Sequence, residues 1–170
     1  GLRDKHAGAA KDHDIKWIDL VVCNLYPFAE TAQKPGIEFS ELIEQIDIGG
    51  PSMIRAAAKN LGWVAVIVDP TDYASFINEL RDASGISYET RRQLAAKAFR
   101  HTANYDAIIA KHLTAESYPE DLTFTFSKSQ DLRYGENPHQ SAAVYKNNFF
   151  AGSSILKAKI IQGKQLSYNN

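Results

Sequence analysis

The sequence contains one cysteine, no long apolar run and no excess of either charge. A single cysteine in 170 residues excludes an internal disulfide, and no Cys-x-x-Cys or His-rich spacing indicates a metal site. No apolar run reaches the roughly 20 residues that a membrane-spanning helix needs. Nineteen basic against twenty acidic residues give a formal charge of −1, which favours neither nucleic acid nor an anionic membrane as a partner. We therefore predict a globular, cytoplasmic protein that binds any anionic ligand locally.

The length and composition allow more than one folding unit. With 44% hydrophobic residues, the chain is long enough for one core, or for one core and part of another. It starts in a polar stretch without an initiator methionine, and we expect that it begins inside a domain. Residues 114–121 include a proline and three acidic side chains, so they are the candidate domain boundary.

The apolar pattern before that boundary predicts an α/β fold. Residues 17–24 and 63–68 are nearly continuous apolar runs, as expected of parallel strands that are covered on both faces. Helical segments lie between them, which predicts a βαβ unit with a right-handed crossover. The helical register then predicts a helix from 71 to about 84 and a longer helix over about 87–113.

After the boundary the pattern changes to that of half-buried strands. Residues 122–126 alternate with period two, and residues 142–145 are a second candidate strand. The loop between them, 132–140, contains Arg133, Tyr134, a glycine and polar amides. Such a loop suits a planar or phosphorylated ligand, although a solvated hairpin connection explains it equally well.

The stretch from 45 to 60 combines an acid, a glycine pair and a helix start. Gly49 and Gly50 lack a Cβ, so the backbone can take positive φ there and a ligand can approach its N–H groups. Pro51 suits the first helical position, and a helix start favours an anionic group. Asp47 precedes this start, and Lys59 lies on the polar stripe of the helix. The alternative is that Asp47 merely favours the helix N-terminus and that Lys59 is solvated.

Polar residues also follow the first predicted strand. Cys23, Asn24 and Tyr26 stand at its carboxyl end, where ligands bind in open α/β sheets. The alternative is that Tyr26 and Phe28 are core aromatic residues and that Cys23 is a small buried hydrophobe.

Five segments, in this order, resemble the family of bifunctional purine-biosynthesis enzymes. These enzymes join inosine monophosphate (IMP) cyclohydrolase to aminoimidazole carboxamide ribonucleotide (AICAR) formyltransferase. The segments are 23–28, 46–50, 55–60, 98–99 with 101–103, and 132–137 with 139–140. Because they run over almost the whole chain, the resemblance is specific.

The resemblance implies an α/β fold in two parts. Residues 1–121 would be the C-terminal part of a cyclohydrolase domain, with a methylglyoxal-synthase-like parallel sheet that is incomplete at its N-terminus. Residues 122–170 would begin a cytidine-deaminase-like α/β formyltransferase domain. The family also implies a homodimer.

The resemblance assigns roles to nine residues. Those that match catalytic positions of the cyclohydrolase are Tyr26, Asp47 and Lys59. Those that match nucleotide-binding positions are Cys23, Asn24, Ile48 and Gly49, and those that match AICAR-binding positions of the formyltransferase are Arg133 and Tyr134.

The implied reactions suit these residue types. A formyl group passes from 10-formyltetrahydrofolate to AICAR, and formyl-AICAR then closes to IMP with loss of water. Asp47 can orient the carboxamide nitrogen and accept its proton, while Lys59 can polarise the formyl oxygen or protonate the leaving hydroxyl. Tyr26 can assist as a donor, and no metal is implied.

The chain also departs from the family pattern. The early segment that supplies a further active-site lysine and much of the phosphate binding would precede Gly1, and the Lys-His pair used for formyl transfer would follow Asn170. We therefore expect part of each site, and weak binding and poor catalysis by the isolated segment. The alternative is a non-catalytic purine-nucleotide-binding module of the same fold.

Overall fold

The computed structural model describes residues 3–83, 85–147, 152–164 and 166–168. The chain divides into two compact units, Gly1–Leu113 and Thr114–Asn170. No helix in the described ranges is both long enough and apolar enough to cross a membrane.

The first unit alternates short strands with helices. In chain order its elements are α1 (Arg3–Asp12), β1 (Leu20–Val22), α2 (Phe28–Thr31), α3 (Phe39–Ile43), α4 (Gly49–Lys59), β2 (Ala65–Ile67), a 3-10 turn (Pro70–Asp72), α5 (Tyr73–Asp82) and α6 (Tyr88–Leu113). A mixed α/β unit is therefore present, as the apolar pattern predicts.

A two-stranded parallel sheet joins the two predicted apolar runs. Leu20 pairs with Ala65 and Val22 with Ile67, and the Cys23 N–H extends the ladder by donating to the Ile67 carbonyl at 3.0 Å. All three residues of β2 are buried. In β1, by contrast, Leu20 and Val22 are 40% and 50% exposed, so the expectation that both strands are covered on both faces is wrong for β1.

Helices cover the two faces of β2. Val66 packs with Ile54, Ala57 and Ala58 of α4 and with Ala98 of α6. On the opposite face Ala65 and Ile67 pack with Phe76 and Leu94. Small alanine side chains at the contact between α4 and α6 let the two helices approach closely, which places the length of α4 against α6.

The start of α4 differs from the predicted one. The helix begins at Gly49, so Pro51 is its third residue and not its first. Proline is tolerated there because the N–H groups of the first helical turn have no partner within the helix. Met53, which helical spacing puts on the buried face, is 55% exposed.

The second unit contains an antiparallel hairpin. β3 (Phe126–Asp131) pairs with β4 (Ala143–Asn147), with an irregularity between Lys128 and Gln130, and a 3-10 turn covers Ile155–Lys157. The strand predicted over 122–126 is wrong, since pairing starts only at Phe126. Its alternating residues Leu122, Phe124 and Phe126 are all more than half exposed, so the alternation does not mark a buried face.

Candidate functional site

The Asp47 carboxylate joins two backbone segments at the carboxyl end of β1. The Gly50 N–H donates to Asp47 Oδ1 at 2.7 Å, and the Tyr26 N–H donates to Asp47 Oδ2 at 3.3 Å. One side chain therefore holds the first turn of α4 against the loop that follows β1. Ile48, the residue that caps α4, offers no side-chain hydrogen bond, so Asp47 supplies this acceptor in its place.

A glycine is required at position 50 because there is no room for a side chain, and not because of its backbone conformation. A Cβ at this position would lie 2.6 Å from Asp47 Oδ2 and 2.6 Å from Leu25 Cδ2. Neither Gly49 nor Gly50 is among the described glycines with positive φ, so the predicted use of positive φ is wrong at both. A Cβ on Gly49 would meet nothing within 4 Å, which leaves room beside the helix start.

Tyr105 of α6 fixes the backbone on the other side of the carboxylate. Its hydroxyl accepts from the Asp47 N–H at 2.9 Å and donates to the Gln45 carbonyl at 3.1 Å. Burial raises the pKa of this hydroxyl, so it remains a neutral donor and acceptor. From its place in the helical register alone, Tyr105 is a packing residue of α6. A hydroxyl on a buried helix face was the available signal.

Cys23 lies near the carboxylate but is not activated. Burial, followed by the negative charge of Asp47, raises the pKa of the Cys23 thiol. A neutral thiol is a weak nucleophile, so Cys23 can contribute contact and shape to a site but not covalent chemistry.

A cavity of about 270 Å³ opens beside the loop after β1. Its lining brings together Asn24 and Tyr26 from that loop with residues of α6 that include His101, Asn104 and Tyr105. Asp47, Ile48, Gly49 and Lys59 are not among the residues that line it. Tyr26 is 57% exposed and Phe28 is 1% exposed, so the alternative of core aromatic residues is wrong for Tyr26 and confirmed for Phe28.

His101 borders this cavity as an uncharged group. Its Nε2 atom is buried and has no hydrogen-bond partner, and burial lowers the pKa of the ring. No second metal-type ligand stands at helical metal spacing from His101, so its sequence context favours a packing or surface role. The described residues contain no group of His, Cys, Asp or Glu that could hold a metal ion.

Lys59 lies away from the other candidate cyclohydrolase residues. It is the exposed last residue of α4, whereas Asp47 precedes the first residue. A helix of 11 residues spans roughly 16 Å at 1.5 Å per residue. The structure therefore brings Asp47 together with Cys23, Tyr26, Ile48 and Gly49, and places Lys59 at the far end of the helix.

An ion-pair cluster orders the chain after β2. Lys97 Nζ lies 2.7 Å from Asp69 Oδ2 and 2.8 Å from Asp72 Oδ2. The hydrogen bond from Lys97, together with that from the Thr71 N–H, holds the pKa of the Asp69 carboxyl well below its usual range. This cluster ties α6 to the turn that leads into α5.

In the second unit, the loop 132–140 is folded on itself. The Gly135 N–H donates to the Gln140 carbonyl at 2.7 Å, and a Cβ on Gly135 would lie 2.8 Å from the Cβ of Gln140. The guanidinium of Arg133 lies 5.2 Å from the ring centre of Tyr134. The Arg133 N–H donates to the Leu166 carbonyl, which brings the chain near residue 166 alongside this loop.

A cavity of about 560 Å³ lies next to this loop. The residues that line it are Gly135, Glu136, His139, Gln140, Ser141, Ala142 and Tyr168. Arg133 and Tyr134 are not among them, although Tyr134 accepts a hydrogen bond from the Tyr168 N–H at 3.3 Å. The two predicted AICAR-binding residues are therefore adjacent to the cavity wall, with the guanidinium in cation–π contact with the neighbouring ring.

A protein-family model and two related proteins match most of this chain. The sequence model of the AICARFT/IMPCHase bienzyme family matches residues 57–170. The chain is 56% identical to the bifunctional purine biosynthesis protein PurH of Halalkalibacterium halodurans, over 99% of this chain and 34% of that protein. It is also 56% identical to PurH of Listeria welshimeri, over 98% of this chain and 33% of that protein. The chain thus spans about a third of the length of these relatives.

A solved structure is similar as well. A chain described as the crystal structure of ForH superimposes with a TM-score of 0.57 at 35% sequence identity. The match covers 65% of this chain and 58% of that one.

Proposed function

The chain belongs to the AICARFT/IMPCHase bienzyme family, and on that premise we propose that it carries part of two active sites of purine biosynthesis. The observation that carries this proposal is the Asp47 carboxylate, which is oriented by the backbone of Tyr26 and Gly50 at the carboxyl end of a parallel strand. Residues 1–121 would belong to IMP cyclohydrolase and residues 122–170 to AICAR formyltransferase.

The proposed reactions are the last two steps toward IMP. A formyl group is transferred from 10-formyltetrahydrofolate to the amine of AICAR. In formyl-AICAR the carboxamide nitrogen then attacks the formyl carbon and loses one proton. The formamide nitrogen loses its proton as the former formyl oxygen departs as water, which leaves a C=N bond in the new ring. The cyclisation needs a proton acceptor close to the amide nitrogen and a donor close to the departing oxygen.

Asp47 fits the role of the acceptor. Each carboxylate oxygen receives one backbone N–H, which leaves further lone pairs for the amide of a substrate. Because both bonds come from the backbone, the carboxylate has a fixed direction before substrate arrives, and such preorganisation favours proton transfer. Tyr26 stands next to it with an exposed ring and is the proposed donor.

Lys59 enters this proposal on the resemblance alone. Its place at the end of α4, roughly 16 Å of helix from the start, supports the pair of Asp47 and Tyr26 better than a pair of Asp47 and Lys59. Cys23, Asn24, Ile48 and Gly49 are the proposed nucleotide-binding residues, and of these Ile48 and Gly49 form the start of α4. The positive end of the helix dipole favours a polar or anionic ligand there.

Arg133 and Tyr134 are the proposed AICAR-binding residues of the formyltransferase. The guanidinium presents a planar set of donors that matches phosphate or carboxylate oxygens, and the aromatic ring beside it offers a stacking surface for a planar base. We further propose a methylglyoxal-synthase-like fold for the first unit, a cytidine-deaminase-like fold for the domain that begins in the second, a homodimer and a cytoplasmic location.

The alternative is a purine-nucleotide-binding module without turnover. The two are separated by an absorbance assay of IMP formation from formyl-AICAR, with the full-length protein that contains this chain. Our proposal predicts steady formation of IMP. Saturable binding of IMP without any product would support the alternative. We expect the segment 1–170 alone to bind weakly and to catalyse poorly.

A further inference from the structure

We propose that Tyr105 is a positioning residue of the cyclohydrolase site, which acts by fixing the backbone that carries Asp47. The inference rests on the proposed function of Asp47. It goes beyond that function because Tyr105 lies on a different element, 58 residues further along the chain.

The contacts of Tyr105 are specific to its hydroxyl. The Asp47 N–H donates to it at 2.9 Å, and the hydroxyl donates to the Gln45 carbonyl at 3.1 Å. The two backbone groups lie on either side of Ile46. A single side-chain atom therefore fixes the backbone that leads into Asp47. The Asp47 N–H, which precedes the first turn of α4, is held by this hydroxyl.

The ring that carries this hydroxyl is itself fixed. Tyr105 is only 8% exposed, and it forms a buried cluster with Phe28 and Leu42. The ring of Phe28 approaches it in a T-shaped arrangement, with 6.4 Å between the ring centres. A side chain packed in this way keeps one rotamer, so the hydroxyl has one position relative to α6.

The same helix also fixes the opposite end of α4. Arg91 donates from Nε to the Leu61 carbonyl at 2.9 Å and from a terminal nitrogen to the Gly62 carbonyl at 3.1 Å. The α6 helix therefore contacts the chain just before α4 through Tyr105 and just after it through Arg91. The Asp47 carboxylate is thus oriented by N–H groups of α4 and of the loop after β1, and the Asp47 backbone is held by α6.

Tyr105 is assigned a positioning role because its hydroxyl is already engaged with the protein. The hydroxyl uses its one donor on Gln45 and accepts from Asp47. When this hydroxyl is removed, the Asp47 N–H and the Gln45 carbonyl lose their hydrogen-bond partner. The backbone at Asp47 is then free to shift, and the carboxylate shifts with it. A small misplacement of a catalytic group lowers the rate much more than it lowers binding.

The test compares Tyr105→Phe with Tyr88→Phe in the full-length protein. Both variants lose a hydroxyl from α6, but Tyr88 is 58% exposed and serves as the control. For Tyr105→Phe we expect a kcat for cyclisation about tenfold lower, as for a lost hydrogen bond of a buried group. The KM for formyl-AICAR and the formyl-transfer rate should stay within twofold. Tyr88→Phe should leave all three unchanged.

Two results would overturn the inference. The first is an unchanged cyclisation kcat in Tyr105→Phe, and the second is a parallel loss of both activities, which would indicate a general structural role. Asp47→Asn, measured alongside, separates this inference from its premise. If Asp47→Asn cyclises at the wild-type rate, the proposed function of Asp47 fails. If Asp47→Asn is impaired and Tyr105→Phe is not, only the positioning role fails.

Discussion

At the scale of single residues, the Asp47 carboxylate determines which neighbours the chain can tolerate. It lies against Gly50 on one side and against the Tyr26 backbone on the other. The two glycines that precede Pro51 are therefore not equivalent, although they look alike in the sequence. Gly50 faces the carboxylate, and Gly49 faces open space.

This difference predicts opposite effects for two alanine substitutions. Gly50→Ala places a Cβ 2.6 Å from Asp47 Oδ2 and from Leu25 Cδ2, so we expect a loss of about 1–3 kcal/mol in the free energy of unfolding. Gly49→Ala meets nothing within 4 Å and should gain less than about 0.5 kcal/mol, because the difference in helix propensity is smaller at the first residue of a helix than in its interior. Denaturant unfolding of both variants measures this. Equal effects would contradict the steric account.

Lys97 gives a prediction on pH. Its contact with Asp69 lowers the pKa of that carboxyl, so the contact stabilises the fold above the unfolded-state pKa of about 3.9. This stabilisation is lost as the pH falls through the lower folded-state pKa. Lys97→Met should therefore lower the Tm at pH 7, by an amount that corresponds to about 1 kcal/mol or less, because the side chains of this cluster are partly exposed.

The difference in Tm between wild type and Lys97→Met should shrink below about pH 4, as Asp69 becomes protonated. Lys34→Met is the matched control, because Lys34 is exposed and is in none of the ion pairs found in the described residues. A Tm difference for Lys97→Met that stays constant from pH 7 to pH 3 would show that the ion pairs are not its cause.

At the scale of elements, α6 organises the first unit. It packs against α4 and β2 through Ala95, Ala98 and Leu94. It also supplies the hydroxyl of Tyr105, the guanidinium of Arg91 and the ammonium of Lys97 to three different loops. A helix of 26 residues is long enough to reach all three, since it spans about 39 Å.

Of these three side chains, Arg91 makes the contacts that another residue can least easily reproduce. Its guanidinium donates to three carbonyls, those of Leu61, Gly62 and Ile86, at the end of α4 and at the start of α6. A lysine cannot reproduce this planar fork, so Arg91→Lys should lower the free energy of unfolding by about 2 kcal/mol. Denaturant unfolding measures the change.

The next residue provides the control for this substitution. Arg92 pairs with Glu89 at the surface, where both side chains are more than half exposed. Arg92→Lys should therefore leave the free energy of unfolding unchanged within the error of the measurement. If Arg91→Lys and Arg92→Lys lowered the free energy of unfolding equally, the three carbonyl contacts of Arg91 would not be what stabilises this region.

The elements also show what local sequence can and cannot determine. The long helix was predicted over about 87–113 and is found at Tyr88–Leu113, because its 3.6-residue pattern is sustained over seven turns. The strand predicted over 122–126 was wrong, because its alternating side chains are exposed and its pairing depends on the register with β4. Helix α2, with four residues, is too short to leave a periodic pattern.

The candidate site also has features that local sequence predicts and features that it does not. The position of Asp47, Ile48 and Gly49 at a helix start follows from the glycine pair and the helical pattern. The role of the Tyr105 hydroxyl does not, because it depends on a contact between residues 58 positions apart. The reason for Gly50 was predicted as backbone freedom and is space beside Asp47, which only the folded chain shows.

At the scale of the whole molecule, the chain contains two compact units with unlike sheets. The first has a parallel pair of strands and the second an antiparallel pair, and each unit has its own cavity. The family model runs across both units. The central claim is therefore that one chain contributes to two separate sites, with Asp47 in one and Arg133 in the other.

The most direct test of this claim measures both activities of the full-length protein in two reciprocal variants. Asp47→Asn should lower the kcat of cyclisation by about 10²-fold or more, as for the loss of a general base, and leave formyl transfer within twofold. Arg133→Ala should weaken AICAR binding by about tenfold or more, as for the loss of a charged hydrogen bond, and leave the cyclisation of added formyl-AICAR within twofold. Variants that lowered both activities in parallel, or neither, would contradict the assignment of two sites.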